Sequence, residues 1–119
     1  MSTELLVVST ITAYHLKREN VAKWLKAECM VNHPVNSLID SVTWSSNERT
    51  QVVHCEVILK NGHILTGVSR PIDPKDYLLQ TGLSASLRTA RDEFYKYAAY
   101  MAKETNNPHY LKDLPKHAE

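Results

Sequence analysis

The chain has 119 residues, a formal net charge of +1, 43% hydrophobic and 23% charged residues. That length holds one core and excludes two ordinary domains, and the balanced charge excludes a global electrostatic pull towards nucleic acid or an anionic membrane. No apolar run approaches the roughly 18 residues a membrane span needs, and the N-terminus lacks the charged start and small-residue cleavage site of a signal peptide, so a cytosolic protein is expected.

In chain order, Glu4 to Leu16 is ambiguous. Val7, Val8, Thr10, Ile11 and Thr12 favour a strand through β-branching, while Leu5, Val8, Ile11 or Thr12, and His15 also share a helical stripe. From Arg18 the pattern firms, since Val21, Trp24, Leu25 and Met30 recur at helical spacing with Lys17, Lys23, Lys26 and Glu28 mostly off that stripe. This predicts an amphipathic helix that stops before His33-Pro34, because a residue preceding proline is pushed out of the α region. Leu38 to Ser45 then reads as a strand with Leu38, Asp40, Val42 and Trp44 on one face, and Ser45 to Arg49 as a loop.

The most informative stretch is Thr50 to Ser69, two β-branched runs meeting at Asn61-Gly62, the dipeptide that best fits a type I′ hairpin turn. A two-residue loop there would set Leu59 against Ile64, Val57 against Thr66 and Cys55 against Val68. It would gather Val53, Cys55, Val57, Leu59, Ile64 and Val68 on one apolar face, and Ile58, Leu65, His54, Glu56 and Lys60 on the other. Arg70-Pro71-Ile72-Asp73-Pro74 cannot extend the ladder, and Asp73 before Pro74 is suited to cap a helix that starts there or slightly later. Gly82 is a possible interruption, after which Leu83, Leu87, Ala90, Phe94, Tyr97 or Ala98, and Met101 form a stripe fit to cover the hairpin. Arg88, Asp92 and Lys96 fall on the outer side as a solvated face. The expected fold is α+β, one domain over 1–119: a three-stranded antiparallel β-meander packed against a long C-terminal helix, with an N-terminal helix alongside. Its core runs from about 18 to 104, and 105–119 forms a C-terminal arm that docks, stays mobile or packs on a second subunit.

Residues from Cys55 through Asn61-Gly62 to Thr66-Gly67, then Asp73-Pro74-Lys75-Asp76-Tyr77, Gly82 and Ala90, resemble a family of small accessory proteins of tailed bacteriophages. The resemblance covers roughly 42 to 100. The chain departs from the family pattern at Ser69-Arg70-Pro71, where a Ser-Ala pair is usual, and at Phe94-Tyr95 and Tyr97, where a Trp-Pro is usual. It implies a phage origin, the host cytoplasm as location, and a similar fold; it carries no catalytic residues.

Six histidines, His15, His33, His54, His63, His109 and His117, are scattered without zinc spacing, so no metal and no cofactor are expected. The two cysteines, Cys29 and Cys55, sit among apolar residues and are expected to be reduced and buried. His54, Glu56 and Lys60 at strand spacing lack a nucleophile or orienting partner and read as a solvated face, so no enzyme is expected. Aromatic residues with arginine are favoured interface anchors, which makes Arg88, Arg91, Tyr95, Tyr100 and Trp24 the candidate partner-binding residues. An uncovered sheet edge also favours a homodimer. The leading expectation is a non-enzymatic accessory protein that binds a host or phage macromolecule and inhibits a host defence or process by steric occlusion. The alternatives are a nucleic-acid-binding module, from the helix, three strands, helix order of the double-stranded RNA-binding domain, and a protein that sequesters a small nucleotide. Against the former, 73–86 holds a single cation, Lys75.

Overall fold

The computed structural model describes residues 11–104, with side chains to Ala99. Among the described residues the elements are β1 (Ile11–Leu16), α1 (Arg18–Ala27), β2 (Ile39–Asn47), β3 (Val52–Leu59), β4 (Ile64–Ser69) and α2 (Leu79–Glu104), with 3-10 turns at Pro34–Leu38 and Pro74–Asp76. The four strands form one antiparallel sheet in the order β1-β2-β3-β4. The class is α+β as expected, but the sheet has four strands rather than three. The extra strand comes from the ambiguous segment, where the β-branched period wins over 11–16 because Tyr14 and Leu16 pack against Trp44 and Val42. Residues 4–10 and the arm at 105–119, with His109 and His117, lie outside the described residues.

Helix α1 ends earlier than the proline alone demands. Met30 N–H reaches Leu25 O at 2.8 Å and Cys29 N–H reaches Lys26 O at 3.1 Å, with Cys29 at φ 56°. This is a Schellman end in which a cysteine occupies the left-handed position glycine prefers, and the buried Leu25 and Met30 close it. Cys29 is therefore exposed, contrary to expectation, while Cys55 is buried; both are free thiols.

The hairpin corrects the expected register by one residue. Leu59 N–H bonds His63 O and Gly62 N–H bonds Leu59 O, each at 2.8 Å, so the loop is Lys60-Asn61-Gly62, with Gly62 at φ 89°. A three-residue loop of this kind is a type I turn followed by a left-handed glycine. Val57 pairs with Leu65 and Cys55 with Gly67. Leu65 consequently goes inside at 2% exposure, whereas Ile64 at 49% and Val68 at 39% face out. In β2 an irregularity between Ile39 and Ser41 likewise turns Asp40 away from the face of Val42 and Trp44, and Leu38 sits in the preceding 3-10 turn, exposed.

Both helices cover the same side of the sheet. Val21 and Leu25 of α1 join Val42, Trp44, Val53, Val57 and Leu65 of the sheet and Leu83, Leu87, Ala90 and Phe94 of α2 in one core. The expected stripe on α2 is borne out from Leu83 to Ala98, with Ala98 rather than Tyr97 as its buried member, and the Met101 side chain lies outside the described residues. Asp73 caps the 3-10 turn by accepting Lys75 N–H at 3.0 Å, and α2 proper begins at Leu79. Gly82 does not interrupt it. A Cβ there would stand 2.7 Å from Val53 Cγ2, and one at Gly67 would stand 2.1 Å from Ser86 O and 2.5 Å from Ala90 N. The two glycines let helix and sheet approach closely.

Candidate functional site

Among the described residues expected to bind a partner, exposure differs widely. Arg91 is 1% exposed, and its Nη1 donates to Met30 O at 2.8 Å and Asn36 Oδ1 at 3.2 Å. It therefore ties α2 to the chain between α1 and β2 and belongs to the interior. Its position could have shown this: it follows Leu87 by four residues and precedes Phe94 by three, the spacing of the buried stripe. Tyr95 is half-buried with its ring 5.0 Å from that of His33. Trp24 is half-buried against Trp44, at 5.1 Å. Arg88 is exposed, as are Asp92 and Lys96. The Tyr100 side chain lies outside the described residues.

The structure assembles a different surface. Because both helices lie on one side, the alternate residues of all four strands face solvent on the other. Three rows cross it: Ala13, Ser45, His54 and Val68; His15, Thr43, Glu56 and Thr66; and the buried Ser41 with Ile58 and Ile64. His54, Glu56, Thr66, Ile64 and Val68 are exposed, and Thr43, Ser45 and Ile58 are half-buried between neighbours. His15 Nδ1 and Thr43 Oγ1 are 3.0 Å apart. At the outer edge, Glu93 of α2 accepts both the N–H and the hydroxyl of Thr66, at 3.2 and 3.3 Å, which occupies a donor of the unpaired edge. The platform mixes hydrogen-bonding groups with aliphatic ones. Of the hairpin trio, His54 and Glu56 share this face, but Lys60 sits in the turn.

Lys60 instead lines a cavity of about 390 Å³ beside α1. The buried Val21, Leu25 and Ile39, the exposed Val31 and Arg18, and the polar Asn36 and Ser37 also line it. Arg18 donates through Nε, at 2.7 Å, and Nη2 to Asp40 Oδ1. A shallower hollow of about 440 Å³ lies between β4 and α2, where His63 stacks on Tyr97 at 4.3 Å.

The buried Cys55 thiol is held neutral. Burial, and then the neighbouring Glu56 carboxylate, push its pKa up from 9.0 to about 12 against the opposing hydrogen bond with Ser86. Its raised pKa and burial are those of an inert core thiol. Among the described residues, no three His, Cys, Asp or Glu side chains converge as a metal site, and no helix is long and apolar enough to cross a membrane. Comparison with protein-family models, curated proteins and solved structures finds no match.

Proposed function

We propose that the chain is a non-enzymatic accessory protein of a tailed phage that docks a host or phage protein on the open face of its sheet and acts by covering that partner's working surface. The observation that carries this reading is the one-sided placement of α1 and α2, which leaves the rows through His15, Thr43, Glu56 and Thr66 at solvent. A rigid sheet presents these side chains at fixed spacing, so a partner orders few of them on binding. The phage setting, and with it the host cytoplasm, rests on the resemblance at Asn61-Gly62, Thr66-Gly67 and Asp73-Pro74. The test is a pull-down of tagged protein from bacterial lysate at moderate and high salt, followed by titration of the purified captured protein. Thr43→Arg, in the centre of the platform, is expected to weaken that titration at least about tenfold, the scale of a central interface residue. Capture that is indifferent to Thr43→Arg would remove the sheet face from the proposal.

A nucleic-acid-binding module is the second reading, favoured by the order α1-β2-β3-β4-α2 and by Lys17, Arg18, Lys23 and Lys26 in and beside α1. A duplex retained at low salt and lost between about 50 and 200 mM, with weakening by Lys23→Gln and Lys26→Gln, would select it over the first.

A further inference from the structure

We infer that the cavity beside α1 is a binding site for a medium-chain aliphatic carboxylate. Its size falls in the range of small-molecule sites, at about 390 Å³. Its apolar lining, Val21, Ala22, Leu25, Val31 and Ile39, is entirely aliphatic and offers no ring on which a base could stack, so a nucleotide is the poorer fit. Two cations from distant parts of the sequence, Arg18 at the start of α1 and Lys60 in the hairpin loop, line the same cavity. Lys60 is held there through its backbone, whose N–H reaches Leu38 O at 2.8 Å. Asp40 takes the Nε and Nη2 side of Arg18, which leaves Nη1 for a second acceptor. An aliphatic chain would cover surface of Val21, Leu25 and Ile39 while its carboxylate rests between Arg18 and Lys60, whose heads stay at water. This site is separate from the open sheet face and stands whether or not a partner docks there.

The experiment is an amide-resolved NMR titration of the full chain with octanoate, hexanoate and neutral octanamide. Saturable shifts are expected at Arg18, Ala22, Val31 and Lys60 with octanoate. Hexanoate is expected to bind roughly tenfold more weakly, since it lacks two methylenes of buried chain. Octanamide is expected to bind at least about threefold more weakly than octanoate, and the Arg18→Gln, Lys60→Gln double variant to lose that preference. Both substituted side chains are exposed, and a thermal melt checks that the variant folds. As a second variant, Ala22→Leu fills the cavity from its exposed rim and is expected to abolish the shifts. Equal binding of octanoate and octanamide, shifts confined to the His63–Tyr97 hollow or the sheet face, or no saturation by about 10 mM would each overturn the assignment.

Discussion

On the helix-covered side of the sheet Val42, Val53 and Val57 have no exposed surface, while one residue along in the same strands Thr43, His54 and Glu56 stand at or near solvent. The backbone and its hydrogen bonds are common to both faces. What separates them is strand parity and the two helices, so the covered face holds the apolar burial that stabilises folding, and the open face contributes little of it. The same contrast runs through the glycines of the hairpin. Gly67 lies under α2 with no room for a Cβ, and Gly62 at the tip has nothing within 4 Å of one.

The sharpest way to break this contrast is therefore Gly67→Ala. A methyl at 2.1 Å from Ser86 O meets helix backbone, which cannot swing aside, so α2 must lift. A loss of about 3 kcal/mol is expected in denaturant unfolding, the upper part of the range for overpacking. A loss under about 1 kcal/mol would mean that α2 rides on the sheet more loosely than the packing of Leu83, Leu87 and Ala90 implies.

Cys55 marks the covered face by its chemistry. Its folded pKa of about 12 stands above the 9.0 of the free thiol, so the folded state keeps a proton that the unfolded chain gives up first. The stability from this group is full below pH 9, falls through the window from 9 to 12 by up to about 1.4 kcal/mol per pH unit, and is gone above it. Urea unfolding at stepped alkaline pH should show a steeper decline for the native chain than for Cys55→Ala. A smaller effect is expected at the exposed end of the hairpin. Gly62→Ala meets no atoms, and only the positive φ resists it, for a cost of about 1 kcal/mol in the same unfolding measurement.

The covered face was largely readable in the sequence where one period dominated. Val53, Cys55, Val57 and Leu59 alternate without ambiguity, and Leu83, Leu87, Ala90, Phe94 and Ala98 keep a single helical stripe. The register of β4 is not fixed by its turn, because Asn61-Gly62 suits both a two-residue loop and a three-residue loop with Gly62 left-handed. Ile64 and Leu65 are both apolar, so the strand pattern could not decide between the registers. The β1 segment carries both periods in its residues, and tertiary packing on Val42 and Trp44 decides between them. Arg91 carries a charge that points to solvent, while its spacing from Leu87 and Phe94 points inside, and the spacing wins. Neither the open platform nor the cavity was legible, since the first depends on which side both helices choose and the second joins residues 18–39 to Lys60.

The smallest expected effect is the most telling for the open face. His54→Ala and Glu56→Gln remove side chains exposed on the open face, so each is expected to change stability by less than about 0.5 kcal/mol in denaturant unfolding. Their covered neighbours supply the control, since Val57→Ala leaves a cavity and should cost about 2 kcal/mol or more. If His54→Ala or Glu56→Gln approached that loss, the open face would be serving the fold, and the case for a docking platform would weaken accordingly. If both are silent in folding while partner binding falls, the division of the sheet into a stabilising face and a recognising face follows, because the same residues are then dispensable to one and required by the other.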